Sequence, residues 1–304
     1  MGWLFSGSMR GGLSVALFVV IILLLMLGWY LHEQGLSELR YHQPEPVQGT
    51  KQTSSPESKP LFPSPEGTLT KYGYPIAHRV VGPYHVLVNQ GYVSGYDAGI
   101  QDPRWVETRF FAVNNPSSAG RPEQFSPDER IEPEYQVNTH YWTATGYDRG
   151  HMAPNWGVSI CYGREAQIQT FLLTNVIPQT PALNRGLWET LEKIISNDYA
   201  ERFGQVWVIC GPIFGSNLGT LKDGKVLIPN GCYKIVLRVD QNGSPHALAF
   251  EMPQDLPWVH QQQALLQYLT SISKIEQDTG MGFFPDLPAG TKTTLENAVE
   301  SKMW

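Results

Sequence analysis

Cysteine is scarce in this sequence: Cys161, Cys210 and Cys232 are the only three among 304 residues. Three are too few for a disulfide framework, and their spacing is not that of a metal-binding set. Cys210 and Cys232 fall in neighbouring strand-like segments, so two readings stand for them, a pair in an oxidising compartment or buried free thiols. An excess of positive charge is also missing. The formal net charge is −6, and from Lys71 onward 18 basic residues face 23 acidic ones, leaving −5. This excludes a domain that holds nucleic acid through a broad basic field. Any anionic polymer must be held in a local cleft. No internal repeat is present, which excludes a repeat array.

Charge is absent altogether from Leu13 to Leu31. As a helix that run would extend about 28 Å at ~1.5 Å per residue, close to the thickness of a bilayer core. Trp29 and Tyr30 stand where an interfacial aromatic belt would lie. A cleaved signal peptide is the rival, but its apolar region is normally shorter. The Gly-Trp-Tyr-Leu-His-Glu that ends the run and follows it is also a poor cleavage site. Residues 1–12 are then a short N-terminal segment and 13–31 a transmembrane anchor. Arg10 precedes the span and Arg40 follows it. The closer Arg10 and the free amino terminus place the N-terminus inside and the body outside the cytoplasm. Residues 32–68 read as a disordered linker rich in Pro and Ser, without apolar periodicity. A single domain is expected over 69–304.

Within that body, Tyr84 to Asn89 and Tyr92 to Tyr96 read as strands around Gln90-Gly91, a hairpin signal. Glu107 to Val113 reads as a third strand, followed by a Pro- and Gly-rich loop over 114–130. Phe171 to Thr174 reads as a short apolar strand. Asn184 to Phe203 has helical spacing, with Leu187, Leu191, Ile194 and Ile195 on one face. Strands return at Val206 to Cys210, Cys232 to Val239 and Ala247 to Glu251, the last two separated by Asn242-Gly243. Gln261 to Gln277 reads as a helix. The expected class is α+β, an antiparallel sheet with helices packed on it.

The chemistry concentrates in one stretch. Residues 148–151 read Asp-Arg-Gly-His, and an asparagine and a glutamate follow at 184 and 192. A histidine is neutral near pH 7 and can take a proton from water. An asparagine oxygen is a hard ligand suited to magnesium, which keeps most of its waters. On a regular helix Glu192 lies about 80° around from Asn184 at ~100° per residue, two turns deeper. Taken singly, each residue has a plain structural reading: Asn184 as a helix N-cap, Asp148 and Arg149 as a solvated pair, His151 as a core histidine. Their joint spacing carries the functional reading, phosphodiester hydrolysis assisted by one metal ion.

The runs Asp148-Arg-Gly-His-Met-Ala-Pro154, Thr174-Asn-Val-Ile-Pro-Gln179, Asn184-Arg-Gly-Leu-Trp188 and Leu191-Glu192 resemble the DNA/RNA non-specific endonuclease family. The likeness extends to Cys210-Gly-Pro212, Ile228-Pro229 and Thr279-Gly-Met-Gly-Phe-Phe-Pro285, and covers roughly Tyr84 to Leu287. It implies a ββα-metal fold and sequence-nonspecific cleavage of DNA and RNA that leaves 5′ phosphates. It implies His151 as general base and Asn184 as direct ligand of magnesium, with manganese as a possible substitute. Glu192 would orient metal-bound water and Arg149 would contact phosphate. Asp148 would stand behind the site. Asn175 matches a residue whose backbone helps hold the histidine ring, and Arg121 is the best match for a further upstream arginine. DNA and RNA are the implied substrates; family members are often dimers, so a homodimer is the expected assembly, and the sequence identifies no inhibitor protein. The departures are Met152 after the histidine and the acidic body. Neither removes a catalytic group.

The expected protein is a membrane-anchored, metal-dependent endonuclease in the bacterial periplasm or the mitochondrial intermembrane space. Two other classes remain in view. A metal-dependent phosphodiesterase for small substrates would need a closed pocket. A tethered nucleic-acid-binding module with a decayed site would not retain His151, Asn184 and Glu192 together.

Overall fold

Alternation with period two runs along the strands of the body and sends their side chains into two different layers. The structure is a computed structural model that describes residues 69–304 except 115, 117–119, 216–218 and 223–225. Of thirteen strands among the described residues, nine build the main sheet and the site. They are β1 (Tyr84–Val88), β2 (Val93–Asp97), β3 (Asp102–Phe111), β4 (Asp148–His151), β5 (Val176–Gln179), β6 (Gln205–Ile213), β7 (Gly231–Val239), β8 (Pro245–Pro253) and β9 (Leu269–Thr270). Seven form one antiparallel sheet in the order β9-β8-β7-β6-β3-β2-β1. Strands β4 and β5 pair separately and antiparallel, with His151 opposite Val176.

On one face of the sheet Val106, Val208, Cys210, Val236 and Phe250 join a core with Val158, Leu187, Leu191 and Ile195. These last come from helix α1 (Asn155–Gln169) and from α2, the helical stretch 183–203. On the other face Trp105, Trp207, Ile209, Ile235 and Ala249 pack against Ile272, Ile275 and Leu295. Those belong to α3 (Ile272–Thr279) and α4 (Ala289–Asn297). The central strands are covered on both sides, which is why β6 and β7 read as nearly continuous apolar runs. The expected α+β class, with a central antiparallel sheet and packed helices, is what the chain adopts.

Several local expectations change. Strand β3 begins at Asp102, five residues before the expected start. Phe171 to Thr174 is not a strand: a 3-10 turn spans Leu173–Asn175, and Leu172 makes a single bridge to Ser126. The stretch 261–277 is not one helix. A 3-10 turn over Gln262–Tyr268 leads into β9, where Leu269 pairs with Phe250, and α3 starts afresh at Ile272. Ser271 makes that restart possible, because its side-chain oxygen accepts from Lys274 N–H. Helix α1 breaks at Gly163, whose φ of 84° is ordinarily open only to glycine.

The three cysteines are free and buried. Cys210 faces Lys234 across β6 and β7, and Cys232 faces Pro212, so the two thiols are out of register. Burial pushes both thiols up to about 12, so both are protonated and inert at neutral pH. Among the described residues no helix is long and apolar enough to cross a membrane. The expected anchor over 13–31 and linker over 32–68 lie outside the described residues.

Candidate active site

Strand β4 carries Asp-Arg-Gly-His, and its alternation puts Arg149 and His151 on one face and Asp148 and Gly150 on the other. Glycine is required between the two charged-motif residues. A Cβ on Gly150 would stand 2.0 Å from Gln179 Oε1 on the paired strand β5. Helix α2 follows β5, which completes a ββα arrangement with α1 inserted in its hairpin.

Arg121, Arg149, His151, Asn184 and Glu192 all line one cleft of about 720 Å³, together with Arg185, Glu189 and Lys193. Asp148 and Asn175 stand behind its wall. The His151 ring is buried against Phe125 and Phe171, at centroid distances of 5.1 and 4.9 Å, and the two phenylalanine rings touch each other at 4.7 Å. Its Nε2 is buried without a hydrogen-bond partner. Burial, and secondarily the charge of Arg121, pull the imidazole down to about 3, so it is neutral at physiological pH.

The two arginines are placed by aromatic rings. Arg149 sits 5.6 Å from the Phe125 ring and 5.7 Å from the Trp142 ring, and donates to Thr139 O at 2.8 Å. Arg121 sits 5.0 Å from the Phe171 ring. Each guanidinium therefore rests on one of the two rings that pack against the histidine.

Asn184 does not cap the helix. The free donors at the start of α2 are met by Thr180, whose backbone oxygen accepts from Asn184 N–H and whose Oγ1 accepts from Leu183 N–H. The Asn184 side chain is thereby released. Its Nδ2 donates to Asp148 Oδ2 at 2.9 Å. An ionised carboxylate only accepts, so the amide must turn its nitrogen to Asp148 and its oxygen away. Arg185 Nε donates to the same Oδ2 at 2.8 Å and completes a forked pair with Asp148. Asp148 and Arg149 are thus not a pair with each other.

The regular 100° spacing does not hold between Asn184 and Glu192. Residues Leu183–Trp188 form a wider π turn, and the backbone leaves helical angles at Gly186. That glycine admits a close neighbour, since a Cβ there would lie 2.9 Å from Val259 O. Asn175 also differs from expectation. Its backbone oxygen accepts from Met152 N–H, and its side chain holds both the N–H and the C=O of Ala153. It fixes the chain just after His151 rather than the ring.

Two residues of the site carried no role in the sequence reading. Lys234 on β7 is 1 % exposed, and its Nζ lies 3.4 Å from Glu192 Oε1 and 3.8 Å above the Trp188 ring. Burial raises the Glu192 carboxyl while Lys234 opposes that rise. Trp188 Nε1 donates to His151 O at 3.3 Å and so ties α2 to β4. A lysine inside the apolar run Cys232-Tyr-Lys-Ile-Val-Leu was the one signal available for Lys234, because a buried lysine requires a partner.

A family model described as DNA/RNA non-specific endonuclease matches residues 66–290. The mitochondrial nuclease EXOG of Xenopus laevis is 31% identical over 252 residues, covering 76% of this chain and 66% of the relative. Mitochondrial endonuclease G of Homo sapiens is 28% identical over 236 residues, 73% of this chain and 75% of the relative. A cyanobacterial nuclease from Nostoc is 27% identical over 228 residues, 71% of this chain and 79% of the relative. The chain spans about two thirds of the length of the EXOG relatives it matches. A crystal structure of the EndoG/EndoGI complex superposes with a TM-score of 0.60 over 72% of this chain and 91% of that chain at 24% identity, so the fold is shared.

Proposed function

Because this chain belongs to the DNA/RNA non-specific endonuclease family, we propose that it is a metal-dependent, sequence-nonspecific endonuclease acting on DNA and RNA. The observation that carries this reading is the single cleft shared by a neutral imidazole, an oriented amide and three arginines. The donor set suits magnesium. Asn184 offers an amide oxygen that would hold the ion, and Glu192 offers a carboxylate that would accept from its water. Among the described residues no group of three or more His, Cys, Asp or Glu could hold a metal ion. Manganese, with similar ligand preference, would substitute. A bound magnesium ion would supply positive charge to the phosphate and to the leaving 3′ oxygen, so that products carry 5′ phosphates.

His151 accepts a proton from the attacking water. A pKa of about 3 describes the free site, where burial chiefly, and Arg121 secondarily, oppose protonation. A phosphodiester held by Arg121 and Arg149 would place a negative charge beside the ring and raise its basicity from that value. The same two arginines offset charge developing on phosphorus-bound oxygens. Asp148 orients the Asn184 amide, and Lys234 holds the Glu192 carboxylate in place.

The body at 69–304 is proposed to be tethered by the uncharged run 13–31 and held outside the cytoplasm, in the mitochondrial intermembrane space or bacterial periplasm. The mitochondrial names of EXOG and endonuclease G support the first location, and the Nostoc relative keeps the second open. The EndoG/EndoGI complex supports an inhibitor protein as a partner class, and a homodimer is proposed on the family likeness. Nicking of supercoiled plasmid tests the reading. Wild type should cut in magnesium and stop in EDTA, and His151→Ala should lose about 10²–10⁴-fold. EDTA-insensitive cutting, or a His151→Ala variant as fast as wild type, overturns the mechanism.

A further inference from the structure

We propose that Trp156 is a stacking platform for an unpaired nucleobase, so that this cleft favours single-stranded over duplex nucleic acid. The proposal rests on the nuclease reading above and adds to it the part of the substrate that the arginines do not address. Trp105, Trp142, Trp188 and Trp207 are buried in cores, while Trp258 is 55 % exposed but does not line the cleft. Trp156 is 45 % exposed and lines the same cleft as His151.

The ring is held in place by its surroundings. Gly157, the next residue, lets α1 press onto the sheet, since a Cβ there would lie 2.5 Å from Phe110 Cε1. That contact fixes the start of the helix on the core side and leaves Trp156 on the cleft side. The indole Nε1 donates to Asn197 Oδ1 at 3.3 Å, on the helical stretch across the cleft. An exposed ring tied at its one polar atom keeps its orientation, so little rotamer entropy is lost when a ligand covers it. Asn197 Oδ1 accepts from both Trp156 Nε1 and the Ser196 hydroxyl, which leaves its amide nitrogen to donate to a base edge.

Cleft composition divides the work. Arg121 and Arg149 stand beside the histidine and suit a phosphate, while Trp156 and Asn197 offer an aromatic face and a neutral amide. The body is acidic overall, so affinity must come from local contacts, and stacking supplies it without a broad positive field. Duplex bases already stack on one another and present no free face, whereas an unpaired base does. Every base has such a face, so this platform is compatible with cleavage that ignores sequence.

Binding without cleavage tests the proposal. The full-length chain is titrated in EDTA with a fluorescein-labelled oligothymidylate and, separately, with a labelled blunt hairpin duplex, and anisotropy is read. Trp156→Ala should weaken single-strand binding about 5- to 100-fold, while duplex binding changes by less than about threefold. Trp156→Phe, which keeps an aromatic face, should retain most of the single-strand affinity. Equal losses on both ligands, or no loss on the single strand, overturn the platform. Wild type that binds neither ligand and does not nick plasmid in magnesium overturns the nuclease reading, and the platform falls with it.

Discussion

Asp148→Ala is the substitution that separates orientation of the proposed metal ligand from the chemistry itself. Asp148 Oδ2 accepts from Asn184 Nδ2 at 2.9 Å and from Arg185 Nε at 2.8 Å. A hydrogen bond to an ionised group contributes about 1.5–3 kcal/mol net. Without it the Asn184 amide is free to turn its nitrogen into the cleft, where it repels a cation. Loss of a group that orients a metal ligand typically costs ~10–100-fold in metal affinity, or about 1.4–2.7 kcal/mol. The two routes agree. The magnesium concentration giving half-maximal plasmid nicking should therefore rise ~10–100-fold in Asp148→Ala, with the plateau rate close to wild type. The fold should hardly notice. Arg185 is 60 % exposed in its pair with Asp148, and exposed pairs contribute ~0–1 kcal/mol. Arg185→Ala, which spares the bond to Asn184, should move the magnesium midpoint by less than about threefold. An unchanged midpoint in Asp148→Ala, or a plateau that collapses as in His151→Ala, would refute the reasoning.

Lys234→Met should destabilise by about 1–3 kcal/mol, because it removes the counter-charge of Glu192, whose carboxyl still reaches the cleft. Urea unfolding of the double variant Lys234→Met with Glu192→Gln should recover much of that loss, and additive effects would show that the two groups are not coupled. His151 provides a pH test. Its folded pKa, about 3, lies below the unfolded value of about 6.5, so the unfolded chain binds the extra proton. The stability it contributes is present above about pH 6.5 and is lost as pH falls towards 3, at up to about 1.4 kcal/mol per pH unit. His151→Asn should flatten that part of the stability curve, and an identical curve would show that the ring is not buried neutral. A chain starting at Leu69 should be soluble and active, while full-length protein should resist carbonate extraction from membranes. Full-length protein found soluble, with its amino terminus cut near residue 31, would favour the signal peptide.

The spacing of His151, Asn184 and Glu192, the hairpins at Gln90-Gly91 and Asn242-Gly243, and the α+β class were all readable before any coordinates. Each depends on neighbours in the chain: a turn dipeptide, a two-residue alternation, a motif contained in a few residues. Gly150 between Arg149 and His151 belongs with them, although its reason, the approach of Gln179, needed the fold. Where local pattern was ambiguous, pairing decided. Leu269 was drawn into β9 by Phe250, and 261–277 split, because a strand partner nineteen residues away satisfies the backbone as well as a helix would. The electrostatics of the site were not local at all. Lys234 and Glu192 are 42 residues apart, and Asn184 and Asp148 are 36. Phe125 and Phe171, which pack against His151, come from before and after it in the chain. Sequence determines which groups exist and at what spacing. Only tertiary packing decides their charge and aim, because burial and the choice of hydrogen-bond partner are set by residues that meet in space after the chain has folded.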